Sequence, residues 1–138
     1  MRAESNIVPE ELCVESLGET ARLRFCENVR RNEEGAELEY VYDEYTVEVA
    51  ARDGLEEMVR KDISRWREYA RLCEERRFGE VIRAKRDRLL KESDWTQGAD
   101  SPLDDERRRA FAEYRRKLRD MSEQAGFPYN VTFPEKPE

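Results

Sequence analysis

The sequence contains no histidine, and that absence excludes more chemistry than any other feature of its composition. Histidine is the commonest general base and metal ligand, so Ser-His-Asp catalysis and most familiar zinc sites are excluded. Phosphate-binding loops, nucleophile motifs and metal-ligand spacings are also missing. Carboxylate-only chemistry remains conceivable, because the chain holds 33 Asp and Glu residues. With so many acids, no particular pair stands out without geometry. No enzyme activity, catalytic residue, metal or cofactor is therefore expected.

Long apolar runs are also lacking, so neither a signal peptide nor a membrane span is expected. The three cysteines, Cys13, Cys26 and Cys73, are far apart and form no CxxC pair. Reduced thiols in a cytoplasmic protein are the expectation, with each cysteine serving as a small hydrophobe. Apolar residues are few, at 38%, against 43% charged residues, and the mean hydropathy is -1.03. A chain of 138 residues with this composition has room for a small core with much surface around it.

The net charge of -7 disfavours nucleic acid as the main partner. One local exception is Arg76, Arg77, Arg83, Lys85, Arg86, Arg88 and Lys91 set against Glu80, Asp87 and Glu92. At this spacing it reads as a solvated helix face. A small nucleic-acid-binding regulator using it together with Arg107, Arg108 and Arg109 is the competing interpretation.

Alternation between residues 11 and 50 predicts strands: Leu12 and Val14; Ala21, Leu23 and Phe25; Leu38, Tyr40 and Tyr42; Tyr45, Val47 and Val49. Leu17-Gly18-Glu19 and the Asn32 to Gly35 stretch supply turns, and Gly35 is free to take a positive φ. A three-stranded antiparallel meander is expected, with a bend or bulge at Asp43-Glu44. From Asp53 the period becomes helical, placing Leu55, Met58, Val59, Ile63, Trp66, Ala70 and Cys73 on one stripe, with Asp53 or Gly54 as the cap. Phe78-Gly79 is expected to break or kink the helix. A shorter helix then carries Val81, Ile82, Lys85, Leu89 and Leu90. A turn-rich loop follows from Ser93 to Leu103, and Ser101 or Asp104 caps a last helix with Phe111, Tyr114, Leu118 and Met121. After Gly126 the aromatics and prolines from Phe127 to Pro134 predict an extended arm.

The expectation is an α+β protein in two modules: residues 1–77, a β-meander with a long amphipathic helix, and residues 78–138, a helical hairpin with an aromatic and proline-rich arm.

Four ordered elements in the second half are unusually particular. They are Arg86 to Gln97, including Leu89-Leu90 and Ser93-Asp94-Trp95-Thr96-Gln97; Asp100-Ser101-Pro102-Leu103; Tyr114 to Asp120; and Phe127-Pro128-Tyr129-Asn130-Val131. Together they resemble the phage tail assembly chaperone family over about the last 55 residues. Gly98 stands where that family usually has Leu, Phe111 and Phe133 where it usually has Trp, and Met121-Ser122 where Ile-Pro is common. The resemblance implies a non-enzymatic helper in the bacterial host cytoplasm, encoded by a phage or prophage. Its partner would be a tail-fibre, receptor-binding or other tail protein. The motif residues Ser93, Asp94, Trp95, Thr96, Gln97, Pro102, Leu103, Tyr114, Arg115, Phe127, Pro128 and Phe133 admit two roles. They either hold the turn and the core, with Trp95 lying across the helices beside the arm, or form the docking surface. A structural tail component retained in the virion is the alternative function. The sheet suggests a further mechanism, in which an exposed edge receives a partner strand.

Overall fold

The computed structural model describes residues 1–138 and divides into two compact units, Met1–Glu74 and Glu75–Glu138. Its class is α+β. The first unit is built on a four-stranded antiparallel sheet: β1 (Arg2–Ser5), β2 (Leu12–Ser16), β3 (Thr20–Arg31) and β4 (Tyr40–Ala50), in the order β1-β4-β3-β2. Strands β2 to β4 are the expected meander, with Gly18 and Gly35 both at positive φ in the turns. Strand β1 is an addition. Its sequence, Arg-Ala-Glu-Ser, carries no apolar alternation, and it is recruited by the exposed edge of β4 through the Arg2–Asp43 to Ser5–Tyr40 register. Leu38, expected within a strand, precedes β4.

The core follows directly from period two. Ala21, Leu23 and Phe25 of β3 stand opposite Val49, Val47 and Tyr45 of β4, so their side chains share one face. Helix α1 (Leu55–Lys61) and the first part of helix α2 (Ile63–Glu92) cover that face. Leu55, Val59 and Ala70 are buried there, and Met58, Ile63, Trp66 and Cys73 pack at its margin. All seven stripe residues therefore meet the sheet. Arg67 ties α2 down further, with its guanidinium 3.3 Å from Glu11 and 3.0 Å from Glu27.

Two irregularities lie elsewhere than the sequence pattern suggests. The bulge is on β3, where the pairing passes from Glu27–Asp43 to Arg30–Val41 with one extra residue. Asn28 takes φ 54° there, a left-handed conformation that asparagine tolerates better than most residues. Asp43 holds it by accepting a 2.7 Å bond from Asn28 Nδ2, so Asp43 marks the bulge from the facing strand. The helix interruption falls at Asp62 (φ -140°, ψ 54°), and α2 runs without a break through Phe78 and Gly79. Gly79 is a point of close approach rather than a breaker, since a Cβ there would lie 3.2 Å from the Phe127 ring.

In the second unit the end of α2 meets helix α3 (Asp105–Arg119). Asp104 caps α3 by accepting from the Arg107 amide at 2.8 Å, which satisfies one of the otherwise unpaired first-turn donors. Phe111, Tyr114 and Leu118, spaced three and four apart, form the core with Leu89, Leu90, Leu103 and Phe133 around them. Met121 is also buried, in the 3-10 turn that ends α3.

The arm is only partly extended. Residues 125–129 form turns, with a cis Phe127–Pro128 bond, and residues 131–138 carry no regular structure. Gln124 fixes the start of that stretch by accepting from the Thr132 amide and donating to its carbonyl.

Candidate functional site

The distinctive Ser93 to Gln97 segment folds as a single 3-10 turn over Asp94–Gln97, and its side chains separate into two groups. Ser93 and Thr96 are buried. Ser93 Oγ donates to the Leu89 or Leu90 carbonyl, at 2.8 and 3.1 Å, and Thr96 Oγ1 donates to the Ser93 carbonyl at 2.7 Å. Short hydroxyl side chains suit this position because they satisfy carbonyls that the ending helix leaves open. Asp94, Trp95 and Gln97 point outward.

Arg115 of α3 locks the turn from the inside. Although 8% exposed, it donates to the Leu90 carbonyl at 2.6 Å, to Ser93 Oγ at 2.9 Å and to Asp94 Oδ1 at 2.7 Å. One planar guanidinium thus joins the helix end, the turn and α3, and its charge is paired. Gln97 adds a weaker bond to the Arg108 carbonyl at 3.3 Å.

Trp95 does not lie across the helices beside the arm. It is 53% exposed, with its ring tilted against Phe111 at 6.1 Å between centroids. The interior it was expected to fill is already occupied by Phe111, Tyr114 and Leu118. Pinning Ser93 and Thr96 inward leaves the intervening indole on the outside of so short a turn.

The arm contributes three aromatic contacts. Tyr129 packs on Phe78 with 5.4 Å between ring centroids. Phe133 joins the core and lies under Lys85, whose Nζ is 4.1 Å from the ring centroid. Phe127 lies against Gly79, with the Arg83 guanidinium 5.2 Å from its centroid. Cations over aromatic faces attract, so part of the basic run on α2 is engaged in holding the arm. Among the motif residues, Ser93, Thr96, Tyr114 and Arg115 are buried, whereas Leu103, Phe127, Pro128 and Phe133 are half-buried. Asp94, Trp95, Gln97 and Pro102 are exposed. The clamp by Arg115 and the fit of Gly79 to Phe127 were not apparent from the sequence, because each joins residues distant along the chain.

No cluster of three or more acidic or cysteine side chains approaches metal-binding geometry. The cysteines are all free. Cys26 is buried on the sheet face away from the helices, and its thiol is pushed up to about 11, first by desolvation and then by the nearby Glu44 carboxylate. No helix is long and apolar enough to cross a membrane.

Comparison with known proteins bears on the second unit. Residues 79–138 match the family model described as phage tail assembly chaperone protein, so the likeness carried by the C-terminal motifs stands. No curated protein and no solved structure matches the chain significantly.

Proposed function

We propose that this protein is a non-enzymatic phage or prophage tail assembly chaperone, which binds a tail-fibre, receptor-binding or other tail protein during virion assembly in the host cytoplasm. The observation that carries this reading is the family match over residues 79–138. The lack of histidine in the sequence is compatible with a binding role.

Within the matched region, Asp94, Trp95, Gln97 and Pro102 are the exposed motif residues, and Trp95 is the anchor. A tryptophan held on a pinned turn offers large apolar area at small entropic cost. Ser93, Thr96, Tyr114 and Arg115 set its position and touch the partner little.

Co-expression with the tail protein encoded beside it tests the proposal. The tail protein should stay soluble only when both are made, and Trp95→Ala should reduce that rescue while the chaperone remains folded. A tail protein equally soluble alone would overturn the chaperone role. Mass spectrometry of purified particles should find the protein absent or far below stoichiometric amounts, and a stoichiometric level would make it a structural tail component.

A further inference from the structure

The first unit presents a free strand edge that opens onto a groove. Strand β2 is the last in the sheet, and its hydrogen-bonding direction alternates along the strand. The Cys26 amide donates to the Glu11 carbonyl and the Leu17 amide to the Thr20 carbonyl, so the odd-numbered residues of this strand bond β3. Leu12, Val14 and Ser16 therefore direct their amides and carbonyls away from the sheet. Val14 and Ser16 also line a groove of about 880 Å³ with Ala21, Ala51 and Leu55.

Charge indicates what the groove accepts. Its charged side chains are Arg52, Arg60 and Lys61 against Asp53, Glu56 and Glu57. Arg60 bridges Glu56 at 2.8 Å and Lys61 bridges Glu57 at 3.3 Å, while Arg52 and Asp53 are adjacent and opposite in sign. On the strand itself, Glu15 meets Arg22 at 3.2 Å. These charges cancel locally, so an incoming segment needs no counter-charge, and a charged one would lose hydration without compensation.

The other free edge differs. On that side the sheet ends in β1, which covers β4 only as far as Glu44; beyond it β4 directs the backbone amides of Thr46 and Glu48 outward, and the Glu48 carboxylate accepts from Thr20 Oγ1 at 2.7 Å. Charged residues on an edge discourage strand addition.

We infer that β2 and this groove bind an extended, uncharged segment of a partner polypeptide as a fifth strand. Its backbone pairs with Val14 and Ser16, and small apolar side chains at every second position enter the space over Val14, Ala21 and Leu55. The paired length is about five residues, or roughly 17 Å. The inference is independent of the tail-assembly reading, because the groove lies within residues 14–61 and the family match covers residues 79–138.

The test is selection of a random linear peptide library on the full-length protein, followed by affinity measurement with the enriched synthetic peptides. Enriched sequences should be uncharged, with aliphatic residues at period two. Ser16→Pro should weaken binding about tenfold, since it removes one outward amide and obstructs the edge without breaking a bond to β3. Ala51→Trp, which fills the groove, should do the same, and Thr46→Pro on the opposite edge should leave affinity within about twofold. Circular dichroism confirms that each variant is folded before it is scored. Charged or helix-patterned peptides, no enrichment, or affinity insensitive to both Ser16→Pro and Ala51→Trp would overturn the inference. A concentration-dependent dimer abolished by Ser16→Pro would overturn it differently, making a second copy of the chain the occupant.

Discussion

The two units reach stability by different means. In Met1–Glu74 the interior is a sheet face of Leu23, Phe25 and Val47 covered by apolar helix residues, and the fold follows from where those side chains fall. In Glu75–Glu138 the buried apolar residues are Phe111, Tyr114, Leu118 and Met121, and a buried arginine with two buried hydroxyl side chains completes the packing. A small helical unit has little apolar area to bury, so directional polar contacts settle its one arrangement. Such contacts require particular residue types at particular positions, whereas a sheet face accepts many aliphatic combinations. That is the physical reason the second unit carries a recognisable signature and the first does not.

Each unit contains one of the two tryptophans, Trp66 and Trp95, so single-tryptophan variants report the units separately. The largest effect should come from Phe25→Ala, which empties a fully buried site and should cost about 4 kcal/mol in the Trp66-reported transition. Arg115→Ala leaves the Leu90 carbonyl, Ser93 and Asp94 without their shared donor. It should cost about 3 kcal/mol, read mainly through Trp95. Equal loss from Arg115→Met would be expected if the hydrogen bonds matter, whereas recovery by Met would show that simple filling suffices and would dissolve the contrast between the units. Gly79→Val should cost about 2 kcal/mol, because its Cβ displaces Phe127, and hydrogen exchange should show residues 124–133 loosened first.

A further difference concerns alkaline pH. Burial holds the Cys26 thiol protonated up to about 11, against an ordinary value of 9.0. Between these values the folded state binds the proton and the unfolded state releases it, so stability declines as pH rises through that window. The loss across the window is on the order of 2 to 3 kcal/mol. Cys26→Ala should flatten this part of the pH profile measured by urea unfolding, and the part that remains belongs to Tyr45 and Tyr114, which burial shifts in the same direction.

Trp95→Phe should have the smallest effect, below about 1 kcal/mol, since half the indole is already in water. A cost of about 3 kcal/mol would return Trp95 to the core and weaken its assignment as a partner anchor. Its emission should also be red-shifted relative to that of the half-buried Trp66.

Much of the architecture was written in period alone. The β2 to β4 alternation, the Leu55 to Cys73 stripe and the Phe111 to Leu118 spacing each specify an element and the face it buries, because side-chain direction repeats every 2 or 3.6 residues. Strand β1 was invisible, since Arg2–Ser5 gains its conformation only from β4. Gly79 misled for a related reason. Glycine weakens a helix locally, yet here a neighbouring aromatic ring occupies the space that a side chain would need.

The sequence by itself determined the class, the faces of the main elements and the family likeness of residues 79–138, because these depend on spacing and on residue types in order. Only the tertiary structure decided that Trp95 faces solvent while Ser93, Thr96 and Arg115 face inward, that the bulge sits at Asn28, and that the free edge of β2 adjoins a groove. Each of these depends on which distant residue already fills a given space, and neither propensity nor period along one chain carries that information.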